Sequence, residues 1–214
     1  MKAKALILDL DGVITDTARF HFLAWKALAD SLGFHFDEHD NERLKGVSRM
    51  RSFEIILEIN GALDRFTEEE KEAYCTKKND LYKEFISTMT PADVLPGIPE
   101  LLARAKSEGV PVAVASVSKN APAVLAALGL TDAFDYVADA AKVTKSKPDP
   151  EIFTVCADAL GVPCADCVGI EDAQAGIEAI HAAGMKSVGV NVAVTSLAPD
   201  VALASTAELA GLDL

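Results

Sequence analysis

Residues 4–8 form a nearly unbroken apolar run, the pattern of a strand covered on both faces in a parallel sheet. The period then changes. Phe20, Leu23, Ala24, Ala27, Leu28 and Leu32 recur at helical spacing, which predicts a helix over 17–32 with Gly33 as its stop. Residues 49–59 read as a second amphipathic helix ending at Asn60-Gly61. Thr67-Glu68-Glu69-Glu70 has the capping-box spacing that opens a charged helix running towards Phe85. No strand interrupts these helices, so 16–89 is expected to be a helical insertion. From Pro96-Gly97 onward helix and strand alternate: helices over 98–106, 120–128, 150–160 and 173–183, and strands over 110–115, 134–138, 167–170 and 187–190. That alternation implies an α/β fold, a doubly wound parallel sheet with helices on both faces. The sheet is built from 1–15 and 90–214, with 16–89 inserted as a cap. The final residues give weak signals and are unassigned.

Half of the 214 residues are hydrophobic, enough to bury one α/β core and a small insertion. Thirty-three acidic against twenty basic residues give a formal net charge of -13, which repels nucleic acid and anionic membranes at long range. Any phosphate ligand must therefore be held by local Lys and Arg. No apolar stretch approaches membrane-spanning length and the first strand is not preceded by a signal-peptide pattern, so a soluble, cytoplasmic protein is expected; a monomer is expected as well. Cys75, Cys156, Cys164 and Cys167 include one close pair, too little for a zinc site, and read as ordinary reduced thiols. No Gly-x-Gly-x-x-Gly follows a strand, so a dinucleotide enzyme is not supported.

Candidate chemistry begins at Leu8-Asp9-Leu10-Asp11-Gly12. Asp9 and Asp11 are two apart, so in extended chain they share a side, and Gly12 lets the backbone turn away. Open α/β sheets bind ligands outside the carboxyl ends of their strands. Two like charges this close call for a cation, and oxygen ligands suit Mg²⁺; a solvated acidic turn is the plainer alternative. Three more polar clusters follow strands. Ser116-Val117-Ser118-Lys119-Asn120 precedes a helix, where hydroxyls, free N–H groups and one Lys describe either a phosphate site or simple capping. Lys145-Ser146-Lys147-Pro148-Asp149-Pro150 offers a lysine to an anion, or two solvated lysines in a loop. Glu171-Asp172 ends a strand and opens a helix, which suits the helix dipole; the pair would also complete an oxygen set for Mg²⁺ with Asp9 and the backbone carbonyl of Asp11.

Four clusters in this order, each at a strand's carboxyl end, resemble the haloacid dehalogenase superfamily over the whole chain. Its nucleophile motif matches Asp9-Leu10-Asp11-Gly12, its serine motif Ser116, its lysine motif Lys147 and its metal motif Glu171-Asp172, and its helical cap is similar to the insertion. Asp16-Thr17, His21, Trp25, Leu44-Lys45-Gly46-Val47-Ser48-Arg49, Lys78-Asn79-Asp80 and the serine loop are similar to the β-phosphoglucomutase family within it. Members interconvert β-D-glucose 1-phosphate and glucose 6-phosphate through a bisphosphate. Val117 departs from the small residue often found there, at a position where only a backbone N–H is needed.

The resemblance implies that Asp9 attacks phosphorus with Mg²⁺ neutralising the transferring oxygens, that Asp11 exchanges the proton, and that Ser116, the amides near Val117 and Lys147 stabilise the transition state. It assigns the second phosphate of a small-molecule sugar phosphate to Arg49, Ser118, Lys119 and Asn120. Thr17, His21, Trp25, Lys45, Gly46, Val47 and Lys78 are implied as cap residues bearing on the sugar and on Asp11. Without the resemblance, His21 and Trp25, four apart on one helix, read as a histidine packed on an aromatic ring. The remaining cap lysines are expected in solvent. A sugar-phosphate phosphatase is the alternative on the same chemistry. A catalytically silent phosphate binder is disfavoured because Asp9, Asp11, Lys147 and Asp172 are all present, and a dehalogenase because Asp11 and the metal acids would have no purpose.

Overall fold

The computed structural model describes residues 3–44, 47–191 and 198–212. The chain divides into two compact units, Thr17–Met89, and Met1–Asp16 together with Thr90–Leu214.

The first unit is helical. Its helices are α1 (Ala18–Ser31), α2 (Glu38–Asn41), α3 (Arg49–Ile59) and α4 (Glu68–Ile86). The apolar periodicity finds its purpose in a buried cluster that includes Trp25, Leu28, Phe36, Phe53, Ile56 and Leu57, with the Trp25 and Phe53 rings stacked 6.1 Å apart. The capping box of α4 is formed: Thr67 Oγ1 accepts from Glu70 N–H, and the Glu70 carboxylate accepts from Thr67 N–H. The single-turn α2 has no apolar stripe and rests on a reciprocal cap between Asp37 and Asp40, so periodicity does not reveal it. Lys71 corrects an expectation: it is buried, and its ammonium bonds the Glu68 carboxylate at 2.7 Å instead of standing in solvent.

Among the described residues the second unit forms a six-stranded parallel sheet, with β1 (Ala5–Leu8), β2 (Val112–Val114), β3 (Tyr136–Val137), β4 (Cys167–Glu171), β5 (Lys186–Gly189) and β6 (Val201–Ala202) in the order β3-β2-β1-β4-β5-β6. Helices α5 (Ile98–Glu108), α6 (Ala121–Ala127), α7 (Glu151–Leu160) and α8 (Gln174–Ala182) complete it. The residues of β1, β2 and β4 are buried throughout, as their apolar runs require. Ile7, Ala113, Ile152, Phe153, Ile177 and Ile180 belong to one core cluster. β2 and β3 are shorter than their apolar runs suggest. β6 lies in the unassigned C-terminal stretch; two residues on a sheet edge carry too little pattern to be read.

The chain leaves β1 in both directions, so the crevice at the carboxyl ends of β1 and β4 is the switch point of the sheet. Leu8 lies opposite Val114 on one side and Ile170 on the other. This register continues one step beyond the strands. Asp9 N–H donates to the Ile170 carbonyl at 3.0 Å, and Ala115 N–H to the Leu8 carbonyl at 2.8 Å. The polar residues that follow β1 and end β4 are thereby brought to the same edge, with Ser116 one residue along on the other neighbour. Among the described residues, no helix is long and apolar enough to cross a membrane.

Candidate active site

Asp9 is the first residue beyond β1 and is nearly buried. Lys147, itself buried, donates to Asp9 Oδ1 at 2.8 Å and to Glu171 Oε1 at 2.5 Å. Two carboxylates therefore share one ammonium, which also lies 5.1 Å over the Phe153 ring. Burial pushes the Asp9 carboxyl up to about 6, with Lys147 pulling it down and Glu171 pushing it further up. Burial acts to lower the Lys147 value, but Asp9 and Glu171 outweigh it and hold the lysine above its ordinary value. The lysine loop is fastened from below. Glu151 Oε2 accepts the N–H groups of Thr144 at 3.0 Å and Lys145 at 2.7 Å, and Asp149 Oδ1 accepts Glu151 N–H at 3.0 Å. Of the two lysines in this loop, Lys145 is exposed and pairs with Asp149, while Lys147 enters the site.

One ligand atom from each of Asp9, Glu171 and Asp172 lies within 4.8 Å of the others. A largely buried all-oxygen set with more carboxylates than ammonium groups fits a hard cation such as Mg²⁺. The residues differ in what they have left to offer. Glu171 Oε1 faces Lys147, and Oε2 accepts the N–H groups of Asp172 and Ala173 at 2.8 and 2.9 Å, so this carboxylate is largely occupied. Asp9 and Asp172 supply the other two ligand atoms of the group. The Gly12 N–H donates to the Thr15 carbonyl at 2.8 Å, and in a trans peptide the Asp11 carbonyl points the opposite way. Two glycines make room for these acids. A Cβ on Gly12, whose φ is 81°, would overlap the Asp172 carboxylate, and a Cβ on Gly176 in α8 would overlap that of Glu171. A second acid group, His35 with Asp37 and Asp40, is exposed, and its carboxylates cap α2.

Ser116 follows β2 and is buried. Its Oγ accepts Ser118 N–H at 3.1 Å, which leaves the hydroxyl proton to be donated; Ser118 Oγ accepts Asn120 N–H at 3.3 Å. Asn120 is the N-cap of α6 and makes no side-chain cap hydrogen bond, so simple capping does not account for this loop. Asn120 is buried, Lys119 is exposed, and Val117 packs its side chain against the core, consistent with a backbone role.

In the helical unit the structure gathers His21, Trp25 and Lys78 and adds Tyr82. His21 Nδ1 is 2.7 Å from Lys78 Nζ, the His21 ring packs against Tyr82 at a 33° tilt with centroids 4.1 Å apart, and Lys78 Nζ lies 4.9 Å over both the Trp25 and Tyr82 rings. Burial first, then the charges of Lys78 and Arg49, drive the His21 value well below its ordinary one, so its ring is neutral. The aromatic partner of His21 is thus Tyr82, one turn beyond Lys78 on α4, which no sequence signal singled out. Arg49 begins α3, and burial lowers its value. Thr17 is buried, and its Oγ1 has no hydrogen-bond partner among the described residues. Val47 is half-buried; Lys45 and Gly46 lie outside the described residues.

Comparison with known proteins bears on this geometry directly. The haloacid dehalogenase-like hydrolase family matches residues 3–184. The chain is 48% identical to the β-phosphoglucomutase of Bacillus subtilis over 206 residues, covering 96% of this chain and 91% of that protein. It is 33% identical to the fructose-1-phosphate phosphatase YqaB of Escherichia coli over 187 residues, covering 87% and 96% respectively. Among solved structures, the β-phosphoglucomutase of Clostridium difficile superposes with a TM-score of 0.94 at 46% identity, covering 97% of this chain and 93% of that one.

Proposed function

Because the chain belongs to the haloacid dehalogenase-like hydrolase family, we propose that it is a phosphoglucomutase interconverting β-D-glucose 1-phosphate and glucose 6-phosphate through glucose 1,6-bisphosphate. The observation that carries the chemistry is the buried Asp9 carboxylate at the switch point, bonded to Lys147 and grouped with Glu171 and Asp172. Asp9, Glu171, Asp172 and the Asp11 carbonyl would hold Mg²⁺, which when bound neutralises the oxygens of the transferring phosphoryl group.

Asp9 attacks phosphorus in line. On the bisphosphate, a P–O bond to Asp9 forms as one P–O bond to the sugar breaks, Asp11 gives its proton to the departing sugar oxygen, and a sugar monophosphate is released. In the other half-reaction the free hydroxyl of a sugar monophosphate passes its proton to Asp11 and attacks the aspartyl phosphate, which re-forms the bisphosphate and frees Asp9. Lys147, the Ser116 hydroxyl and the loop amides stabilise the equatorial oxygens, where charge stabilisation does most of the work of phosphoryl transfer. Arg49, Ser118, Lys119 and Asn120 are assigned to the phosphate that is not being transferred, and Thr17, His21, Trp25, Lys45, Gly46, Val47 and Lys78 to sugar recognition and to holding Asp11. A sugar-phosphate phosphatase is the second reading, favoured by the likeness to the fructose-1-phosphate phosphatase. A cytoplasmic location belongs to the same proposal and is supported by four free cysteines.

Phosphorus NMR of β-D-glucose 1-phosphate with Mg²⁺ and a trace of bisphosphate separates the two readings. Glucose 6-phosphate without free phosphate is expected; free phosphate as the main product selects the phosphatase. Asp9→Asn is expected to abolish turnover with the fold intact. Activity above about one percent of wild type, a barrier change of less than about 3 kcal/mol, would remove Asp9 as the nucleophile.

A further inference from the structure

Asn191, two residues beyond β5, is the one non-glycine position among the described residues with a left-handed backbone, φ 56°. Its Nδ2 donates to the Gly12 carbonyl at 2.9 Å in a partly buried hydrogen bond. β5 is not a neighbour of β1, because β4 lies between them. The Asn191 side chain therefore reaches across the carboxyl end of the strand that carries Glu171, and lands on the loop that follows Asp9 and Asp11. Its base is fixed by Val190 N–H, which donates to the Glu171 carbonyl at 2.8 Å.

Gly12 is consequently held on three sides. Its N–H is bonded to the Thr15 carbonyl, its carbonyl to Asn191, and the Asp172 carboxylate fills the space a side chain would need. We infer that Asn191 is a positioning residue for phosphoryl transfer, its amide fixing the Gly12 peptide and through it the placement of Asp11 relative to Asp9 and Asp172. The residue type suits the task. A carbonyl oxygen requires a donor, and asparagine supplies one on a short side chain while tolerating the left-handed backbone. Aspartate has the same shape and backbone tolerance but no donor when ionised, and glycine keeps the backbone but loses the side chain.

This inference rests on the phosphoryl-transfer reading above, and the two can fail separately. Asn191→Gly and Asn191→Asp in the full chain would be compared with wild type by the amide shifts of Gly12 and Val13 in metal-free protein, by Mg²⁺ affinity from titrating those shifts, by kcat and KM, and by thermal midpoint. In Asn191→Gly both amide shifts are expected to move, Mg²⁺ affinity and kcat to fall by about three- to tenfold, and KM for the sugar phosphate to stay, with the thermal midpoint near wild type. Asn191→Asp is expected to lose more than about tenfold in kcat, since it sets a carboxylate against the Gly12 carbonyl. Unchanged shifts, Mg²⁺ affinity and kcat in Asn191→Gly would overturn the inference, as would a kcat that falls only in step with the folded fraction. Were wild type to turn over no sugar phosphate, the function proposed above would fall while the shifts and Mg²⁺ titration still judged Asn191.

Discussion

A carboxylate that attacks phosphorus works only when ionised, yet Asp9 is held where burial favours its neutral form up to about pH 6. Lys147 offsets part of that cost, and Glu171, drawing on the same ammonium, adds to it. The consequence for stability has a definite sign. Asp9 keeps its proton to about 6 when folded and to 3.8 otherwise, so between these values the folded chain binds more protons than the unfolded one. Stability from this group is full below about pH 4 and is lost as pH rises through about 6. In chelator, the thermal midpoint of wild type minus that of Asp9→Asn is expected to decline across that window, and Mg²⁺ at neutral pH to raise wild type selectively. A difference independent of pH would mean that burial does not oppose the Asp9 charge. These acids were legible in the sequence because each stands next to a strand end, where residue type and position state the chemistry together. Tyr82 was not, since it sits in the charged pattern of α4 and gains meaning only from the His21 ring that folds onto it.

At the scale of elements, the site is a consequence of register. Asp9 N–H on the Ile170 carbonyl and Ala115 N–H on the Leu8 carbonyl carry the strand alignment one residue past the sheet, which brings motifs far apart in sequence to one edge. Where an element must approach a side chain closely, glycine makes it possible. Gly176 puts the first turn of α8 against the Glu171 carboxylate, which cannot swing away without releasing Lys147 and the Asp172 and Ala173 amides. Gly176→Ala is expected to cost about 1–3 kcal/mol of stability by overpacking and to lower Mg²⁺-dependent turnover by more than about tenfold. Full turnover with a normal thermal midpoint would show that Glu171 has room to yield. Apolar periodicity revealed the helices that bury a stripe and the strands buried on both faces. It missed α2, which depends on capping, and β6, which depends on pairing with β5, because neither stabilising interaction has a period. The supports of the catalytic loops, Glu151 beneath Lys147 and Asn191 on Gly12, were equally silent, as each acts through backbone groups that any sequence would present.

For the molecule as a whole, a net charge of -13 means that an anionic substrate is attracted only by local cations, so the placement of those cations decides specificity. The proposed groups for moving one phosphoryl group, Asp9, Asp11, Ser116, Lys147, Glu171 and Asp172, all belong to the α/β unit. A mutase must in addition retain the bisphosphate by its other phosphate, and Arg49, at the start of α3 in the helical unit, is the cation proposed for that task. Arg49→Ala is expected to remove a charge-assisted forked contact of roughly 1.5 to 3 kcal/mol. The loss should fall on bisphosphate affinity and mutase turnover. Hydrolysis of acetyl phosphate at Asp9 should change little, since that donor has no second phosphate to hold. The ratio of the two activities in wild type and variant is the measurement. An equal fall in both would mean that Arg49 serves the transferring phosphate or the fold, and the case for a mutase over a phosphatase would then lose its second phosphate site.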